Sequence, residues 1–537
     1  MTEHEAQAVT LDAEAAEAAE AAEGAEAAMG DDDLAPIDWR RLTHRWLPLG
    51  VGMLAMLLTA LLLIPGHSWG DDWALYLRQS EGILHFKVRD VVHDARFTVD
   101  KSIGPEFSPR VYPWGTAMLL LIPRALFGRS VAAFKLTEAF ALGVGAAAWF
   151  AMGRRRMSNS AALAGALCFM ISLPLIKWAN YVGSDIPYVA VVGVCLAVFA
   201  RWFANDTLDR RHVVLLGVLG AVAFAFRQEG LTVMVALLAA AAWYRMSRSL
   251  TLQSLKSTAG DVGLGVAAFA VVTGVLQVLM PYQMLPSYKG SGGSRISESL
   301  TTYLRAAADQ FGLWNRDRVE VFNRPRLGWL ILIIGLVFVV VGLARMFSRH
   351  DALDVAILLV LAAHFYSALT TVHAYGRYLF TAVAALTFVG AQGIHEIAHL
   401  AGRVSRKPRA IFALVLVLPL LWIQWPRYQT AAEAATKSRE QPVTSGPFGP
   451  PAQEMFDKVR ELTQPDDVIA FKKARAMTLF TDRLSVQVPY ISAVPTFADW
   501  FVAEKDKNGD FIAPPFAEEV WRNVNYVIYR LIPTSEP

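Results

Sequence analysis

Residues 46–77 read WLPLGVGMLAMLLTALLLIPGHSWGDDWALYL. The first part of this stretch is an apolar run of about 20 residues, the length that crosses the roughly 30 Å hydrocarbon core of a bilayer. Two adjacent carboxylates, Asp71 and Asp72, follow after a short loop. From Asp71 onward, apolar side chains as far as Leu84 recur at helical spacing, which predicts an amphipathic helix on the membrane surface. The stretch therefore predicts a membrane span that leads into an acidic interfacial helix.

The composition excludes an ordinary cytosolic enzyme and a disordered chain. Hydrophobic residues make up 54% of the 537 residues and charged residues 18%, whereas an average soluble domain has roughly 45–50% and about 25%. The net charge of +3 combines two populations, because residues 1–33 contain eleven acidic residues and no Lys or Arg, leaving 50 basic against 36 acidic residues elsewhere. We predict that residues 1–36 are an acidic, Ala/Glu-rich disordered tail and that the rest is a membrane protein with cationic rims.

The apolar runs predict a mainly α-helical, polytopic membrane protein with about eleven transmembrane helices. The predicted spans are 45–65, 131–152, 158–175, 186–203, 212–226, 230–244, 258–280, 327–345, 353–371, 376–398 and 410–425. Together they define a predicted transmembrane domain over residues 37–426. Residues 114–128 are apolar but too short to span and contain Pro123 and Arg124, so we predict a re-entrant or interfacial helix there.

Cationic residues in the short loops predict the orientation of the chain. They form six clusters, at Arg40/Arg41/Arg45, Arg154–Arg156, Arg201/Arg210/Arg211, Arg245/Arg248/Lys256, Arg345/Arg349 and Arg403/Arg406/Lys407/Arg409. All six fall on one side if the N-terminus is cytoplasmic, as the positive-inside rule requires. We therefore predict a multi-pass protein of a bacterial-type inner (plasma) membrane with the tail 1–36 in the cytoplasm.

This orientation places three larger pieces outside the cytoplasm. They are the loops 66–130 and 281–326 and the C-terminal residues 427–537. The C-terminal piece follows a polar linker and reads as a small extracytoplasmic α/β domain, with a helix near 454–462 and strands at 468–471 and near 524–531.

Charged and aromatic residues at the outer ends of the predicted spans form the candidate site. They are Asp71, Asp72, Asp185, Arg227, Glu229, Lys289, Arg295, Arg377 and Tyr378. Structural alternatives exist for them. The acidic pair can cap a helix, Asp185 can begin one, and Arg227 can simply pair with Glu229. Interfacial Tyr and Arg residues also serve as membrane anchors.

The shared location of these residues favours one class of function over another. A transport path places charges near the bilayer midplane. Carboxylates and several cations at one membrane face instead suit chemistry on a lipid-linked phosphate head group. A transporter or lipid flippase for a lipid-linked envelope precursor remains the alternative function.

The order of these motifs resembles the GT-C superfamily of polytopic glycosyltransferases, which includes lipid A aminoarabinose transferases, protein O-mannosyltransferases and a bacterial galacturonosyltransferase-like group. Asp71-Asp72 resembles the family's acidic pair, and Asp185 its second acidic position. The other similar stretches, which extend the resemblance over roughly residues 45–490, are Tyr112-Pro113 with Gly115, Lys135-Leu136 where Arg is usual for Lys135, Arg227-Gln228-Glu229-Gly230, Gly376-Arg377-Tyr378, residues 458–467, and residues 479–483 with Asp482 where Gly is usual.

The resemblance implies a sugar transfer from a polyprenyl-phosphate donor to an envelope glycolipid, polysaccharide or protein, by a single displacement with inversion. It implies that the catalytic residues are Asp71, Asp72 and Asp185. One of the acidic pair is the base, with Asp71 favoured over Asp72, and the other carboxylates orient the substrates or hold an arginine. The donor-phosphate and substrate-binding set that it implies is Arg227, Glu229, Arg377, Tyr378, Lys289, Arg295 and Lys135.

The resemblance also bears on cofactors and partners. Some GT-C enzymes use a divalent metal and others do not, so a metal remains open. The expected partners are the lipid donor, the acceptor and the bilayer, with no nucleic acid.

Overall fold

The computed structural model describes most of the chain. The described residues are 39–103, 109–205, 208–284, six residues between 300 and 309, 325–370, 376–405, 418–441, 443, 446–488, 497–505, 509–511 and 516–532. Residues 48–537 form one compact unit, and residues 1–47 form a second unit of which only the start of the first helix is described. The predicted acidic tail 1–36 and most of the predicted loop 281–326 lie outside the described residues.

Helices dominate the fold. In chain order they are α1 (Trp39–Leu61), α2 (Asp72–Leu84), α3 (Val88–Lys101), α4 (Gly115–Leu119), α5 (Leu121–Phe127), α6 (Val131–Gly153), α7 (Asn159–Met170), α8 (Leu173–Trp178), α9 (Asp185–Ala204), α10 (Arg210–Phe226), α11 (Gly230–Met246), α12 (Leu252–Leu279), α13 (Pro325–Arg349), α14 (Ala352–Thr370), α15 (Phe380–Ser405), α16 (Leu418–Glu440), α17 (Pro450–Leu462) and α18 (Ala474–Thr481). A single 3₁₀ turn, Gly376–Leu379, leads into α15.

The predicted spans correspond closely to these helices. Most of them coincide with one helix each, whereas 158–175 covers α7 and the start of α8, and 376–398 covers the 3₁₀ turn and much of α15. The last, 410–425, lies partly outside the described residues and partly in α16. By length and composition, five helices among the described residues are long and apolar enough to cross a membrane: Val131–Gly153, Asp185–Ala204, Leu252–Leu279, Ala352–Thr370 and Gly376–Ala401. The prediction of a mainly helical, polytopic membrane protein is confirmed. The count of eleven spans stays a prediction.

Small residues allow the helices of the membrane part to pack closely. A Cβ on Gly52 of α1 would lie 2.8 Å from the carbonyl oxygen of Gly143 on α6, and Ala190 of α9 lies against Gly145 of α6. Between membrane helices, such small contacts let backbones approach and gain dispersion energy where hydrophobic exclusion from water is absent. The resulting interior extends from α6 and α9 through α10, α11 and α14.

A small sheet forms near the C-terminus. Its strands are β1 (Val468–Ala470), β2 (Leu484–Val486), β3 (Trp500–Glu504), β4 (Ala517–Arg522) and β5 (Tyr526–Leu531), in the order β2-β1-β3-β5-β4. β1 pairs in parallel with β2 and β3, and β5 pairs antiparallel with β3 and β4. Helix α18 connects β1 to β2. The predicted small C-terminal α/β fold is confirmed, including the helix near 454–462 and both predicted strands.

Helix α2 differs in its environment from the prediction. It begins where predicted, but both its faces are covered instead of one resting on the membrane surface. Trp73 packs against Phe448 and Phe480 of the C-terminal part, with ring centroids 5.5 and 6.2 Å apart. Arg78 reaches Asp482 over 2.7 Å. Helix α2 therefore packs against the C-terminal part of the chain as well as against the membrane part.

The short apolar segment at 114–128 does not span. It forms the two short helices α4 and α5, separated at Leu120. On α5, Ile122 and Leu126 are 71% and 69% exposed, although both are large and apolar. Such exposure suits a helix that lies against lipid, in keeping with the predicted interfacial role.

Candidate active site

A cavity of about 480 Å³ lies where the first residues of α2, α9 and α18, the turn between α10 and α11, and the 3₁₀ turn before α15 meet. It brings together residues that are far apart in sequence. The charged side chains that line it are Asp71, Asp72, Asp185, Arg227, Glu229, Arg377, Lys473 and Arg475. All of the candidate site residues at outer helix ends that the structure describes therefore share one cavity.

Asp71 has a buried carboxylate in this cavity. Both of its Oδ atoms are inaccessible to solvent and accept no hydrogen bond of normal geometry from the described residues. Its side chain does not cap α2, although it precedes that helix. Burial raises the pKa of Asp71 to about 6, against the opposing charges of Arg475 and Lys473 and a backbone N–H contact from Ala476 in the first turn of α18. Such a carboxyl can change protonation near neutral pH.

Asp72, the next residue, has an opposite environment. Its Oδ1 accepts a 2.7 Å hydrogen bond from the Tyr112 hydroxyl, and its Oδ2 lies 3.2 Å from Nη1 of Arg377. Arg475 approaches to 3.9 Å. Burial raises its pKa, but Arg377 and Arg475 more than offset this, so the pKa of Asp72 lies below its usual value. Asp72 is thus held as an ion and organises the groups around it.

Asp185 begins α9 and anchors the other side of the cavity. Its Oδ1 forms an ion pair with Arg227, and its Oδ2 accepts a 3.0 Å hydrogen bond from Nε1 of Trp178. Arg227 also pairs with Glu229 at 3.2 Å, so the structural alternative of an Arg–Glu pair within this turn is part of the observed arrangement. Two carboxylates therefore neutralise the Arg227 guanidinium.

The chain that leads to Asp185 is fixed from two sides. Glu138 of α6 accepts a 2.9 Å hydrogen bond from the N–H of Gly183, and His67 Nε2 accepts one of 3.1 Å from the N–H of Val182. Because Nε2 of His67 is an acceptor, its Nδ1 carries the proton and donates to the Ser68 carbonyl over 2.7 Å. Burial lowers the pKa of His67 to about 4, so the ring is neutral at pH 7.

A tight turn positions Arg227 and Glu229. Gly230, which starts α11, has no space for a side chain, because a Cβ there would overlap the backbone of Ala223 and Phe224 in α10. Glycine is therefore required at this position for the turn to pack closely against α10. This packing explains the Gly in the Arg-Gln-Glu-Gly stretch.

Arg377 connects the two sides of the cavity. Its Nη1 lies 3.2 Å from Asp72 and 3.8 Å from Asp185. The guanidinium also lies over the rings of Trp178 and Tyr378, at 5.4 and 5.3 Å from their centroids. Aromatic faces stabilise a cation in a partly dry site. The stretch Gly376-Arg377-Tyr378 thus contributes both the bridging cation and one of the aromatic rings that contact it.

One described candidate, Lys135, does not reach the cavity, and two further candidates are not described. Lys135 is buried on α6 and donates a 2.7 Å hydrogen bond to the carbonyl of Ile64, just beyond the end of α1. It is not among the lining residues. Lys289 and Arg295 lie outside the described residues. The proposed part of all three in donor binding stays a prediction.

Comparison with solved structures relates this geometry to known proteins. The chain is similar to the archaeal oligosaccharyltransferase AglB from Archaeoglobus fulgidus, with 12% identity over 87% of this chain and 70% of that one and a TM-score of 0.51. It is also similar to ArnT from Cupriavidus metallidurans, with 14% identity over 91% of this chain and 98% of that one and a TM-score of 0.50. The chain has the GT-C glycosyltransferase fold. No protein-family model and no curated protein matches the sequence.

The sequence interpretation missed one part of this cavity. Lys473 and Arg475 reach the cavity from the C-terminal part, where Arg475 donates hydrogen bonds to the Tyr112 hydroxyl over 3.1 Å and to the Pro109 carbonyl over 2.5 Å. A signal was present, since three cations stand at 472–475 directly after a strand. Sequence could not reveal that this end of the sheet faces α2.

The residues of this cavity do not fit a divalent metal. Within the described part of the chain, no three His, Cys, Asp or Glu side chains converge as metal ligands. Asp72 and Asp185 are instead paired with arginines.

Proposed function

We propose that this protein is a membrane glycosyltransferase that transfers a sugar from a polyprenyl-phosphate donor to an envelope glycolipid, polysaccharide or protein, with inversion at the anomeric carbon. One observation carries the proposal. A buried carboxylate with a pKa near neutrality, Asp71, lines a cavity that also holds four cationic side chains. A base and cations in one water-poor site are what attack on a sugar phosphate requires.

The reaction is a single displacement. The acceptor hydroxyl or amine attacks the anomeric carbon and gives its proton to Asp71. The bond between that carbon and the phosphate oxygen breaks as the new glycosidic bond forms, and the electron pair leaves with the polyprenyl phosphate. Because phosphate is a good leaving group, no general acid is needed, and cations stabilise the charge that develops on it.

The other carboxylates have orienting roles in this proposal. Asp72 is held ionised by Arg377 and Tyr112, which makes it a poor proton acceptor and a good anchor. Asp185 holds Arg227 in the same way from the opposite side. These pairs keep the guanidinium groups in place before the substrates arrive, so that little reorganisation is required during the reaction.

A lipid-linked donor is supported by a solved relative. The AglB structure that this chain resembles is a complex with an inhibitory peptide and a dolichol-phosphate. The position of the cavity also suits a lipid donor, because it lies at the ends of the long apolar helices α9 and α15. We propose that the polyprenyl tail remains in the bilayer while the phosphate enters the cavity.

We propose that the cavity faces away from the cytoplasm, in a bacterial-type inner membrane. Helices α9 and α11 have one end at the cavity and their other end at the cationic clusters of Arg201 and Arg245. At the end of the bundle away from the cavity, Arg156 pairs with Asp354 at 3.0 Å. The positive-inside rule then supports a cytoplasmic N-terminus and an extracytoplasmic C-terminal sheet.

Chemical turnover by the purified protein tests this function. The full chain is reconstituted in proteoliposomes with a panel of radiolabelled polyprenyl-phosphate sugars and with envelope extracts as acceptors. We expect cleavage of the donor to polyprenyl phosphate together with labelled product. Passage of intact donor across the bilayer without cleavage would support the transporter or flippase alternative and contradict the proposal.

A further inference from the structure

The arginines of the cavity are already matched by carboxylates. Arg227 pairs with Asp185 and Glu229, and Arg377 lies between Asp72 and Asp185. An arginine that two carboxylates neutralise offers an incoming phosphate a hydrogen-bond donor but little net attraction. The net positive charge available to a new anion must therefore come from elsewhere in the cavity.

Among the cavity residues that the structure describes, Lys473 is the cation that no carboxylate matches. It is partly buried, and its ammonium forms no ion pair or hydrogen bond with the described residues. Its neighbours differ from it. Lys472 pairs with Glu504 and lies over the ring of Trp69. Arg475 is held by Tyr112 and Pro109 and lies 3.9 Å from the carboxylate of Asp72.

Lys473 also lies close enough to the proposed base to influence it. Its charge lowers the pKa of Asp71, while no ion pair forms between the two side chains. An unpaired ammonium and an unbonded carboxylate thus lie in one cavity without neutralising each other directly. A substrate with an anionic leaving group and a nucleophilic hydroxyl or amine would complement both.

We infer that Lys473, supplied by the C-terminal part of the chain, binds the phosphate of the lipid donor and stabilises it as it leaves. This inference rests on the proposed function and extends it, because it assigns the leaving-group cation to a residue that follows β1 and precedes α18. The membrane part alone would then be an incomplete site. Docking of the sheet onto α2 becomes a requirement for catalysis.

Binding of a simple probe tests the assignment without turnover. Farnesyl phosphate has the required phosphate on a short prenyl chain, and neutral farnesol is its matched control ligand. We expect Lys473→Ala to weaken farnesyl phosphate binding by roughly tenfold or more and to leave farnesol binding unchanged, since one charge-assisted hydrogen bond is lost. Lys473→Arg should retain most of the binding. Lys472→Ala is the matched control variant and should bind as the wild type does.

Steady-state kinetics then show whether Lys473 acts on the donor or on the acceptor. In the transfer assay, Lys473→Ala should raise KM for the donor and lower kcat while KM for the acceptor stays the same. A raised KM for the acceptor alone, or unchanged farnesyl phosphate binding, would overturn the inference. A wild-type protein that binds farnesyl phosphate but shows no transfer would contradict the proposed function and not the assignment of Lys473.

Discussion

Nη1 of Arg377 lies 3.2 Å from Oδ2 of Asp72, although 305 positions separate the two residues. The same nitrogen lies 3.8 Å from Asp185. Arg377 therefore links the start of α2 to the start of α9 across the cavity.

Removing either partner of this pair should damage the reaction to a similar degree. We expect Arg377→Ala and Asp72→Asn each to lower kcat/KM by roughly 10²–10³-fold, because each disturbs the same preorganised charge arrangement. The double variant should be little worse than either single one. Transfer rates of the four proteins form a double-mutant cycle, and fully additive losses would show that the pair does not act as a unit.

The pH dependence of transfer should report Asp71. Its pKa is raised to about 6, first by burial, while Arg475, Lys473 and Ala476 N–H act against the rise and Asp72 adds to it. Because the base must be ionised, kcat/KM should increase as pH rises through about 6 and then level off. Lys473→Ala should move this limb to higher pH, since one lowering charge is lost. A limb that stays in place would contradict the arrangement.

The contribution of Asp71 to the stability of the fold should decrease as pH rises, whereas the rate of transfer should increase. The pKa of Asp71 is higher in the folded protein than in the unfolded chain, where its ordinary value is 3.8. The contribution of Asp71 to stability is therefore fully present below about pH 4 and is lost as pH rises through 6. Denaturant unfolding of the wild type and Asp71→Asn at several pH values measures the difference.

His67 should make the fold sensitive to acid. Burial lowers its pKa to about 4 in the folded protein, so its contribution is present above about pH 6.5 and is lost as pH falls toward 4. That shift corresponds to a loss of up to about 3 kcal/mol. His67→Gln should flatten the dependence of unfolding free energy on pH in this range, whereas His93→Gln, at an exposed histidine of α3, should not. Equal acid sensitivity in all three proteins would contradict the burial argument.

Position 482 should tolerate glycine better than alanine. It ends α18 with φ 55° and ψ 31°, in the left-handed region, and its carboxylate pairs with Arg78. Asp482→Ala should lower the free energy of unfolding by about 1–2 kcal/mol, through backbone strain and loss of the pair. Asp482→Gly loses only the exposed pair, worth under about 1 kcal/mol. Thermal unfolding of both variants in detergent measures this, and an alanine variant as stable as the glycine variant would contradict it.

The sequence predicted the local features of this protein better than its long-range contacts. Apolar runs located the helices, because a span is encoded in consecutive residues. Helix α2 was predicted from Asp71 onward, but its second buried face depends on Phe448 and Phe480, which are far away in sequence. The contact made by Lys135 was also not predicted from the sequence. An isolated cation in a span was predicted to bind substrate, and the structure pairs it with the carbonyl of Ile64.

The site was predictable where motifs lie at span ends and unpredictable where tertiary docking supplies a residue. Asp71, Asp185, Arg227 and Arg377 share a cavity because alternate helices end on the same face of the bundle. Arg475 joins them through a contact with Tyr112 that spans 363 positions. No local pattern encodes such a contact, since it depends on how the sheet packs on α2.

Transfer by Asp71→Asn, compared with the wild type, tests whether Asp71 is the base. The substitution preserves the shape of the side chain and removes its ability to accept a proton. We predict that kcat falls by roughly 10²–10⁴-fold, while farnesyl phosphate binding changes little and Asp90→Asn, at an exposed position of α3, behaves as the wild type. Wild-type turnover by Asp71→Asn would contradict the account.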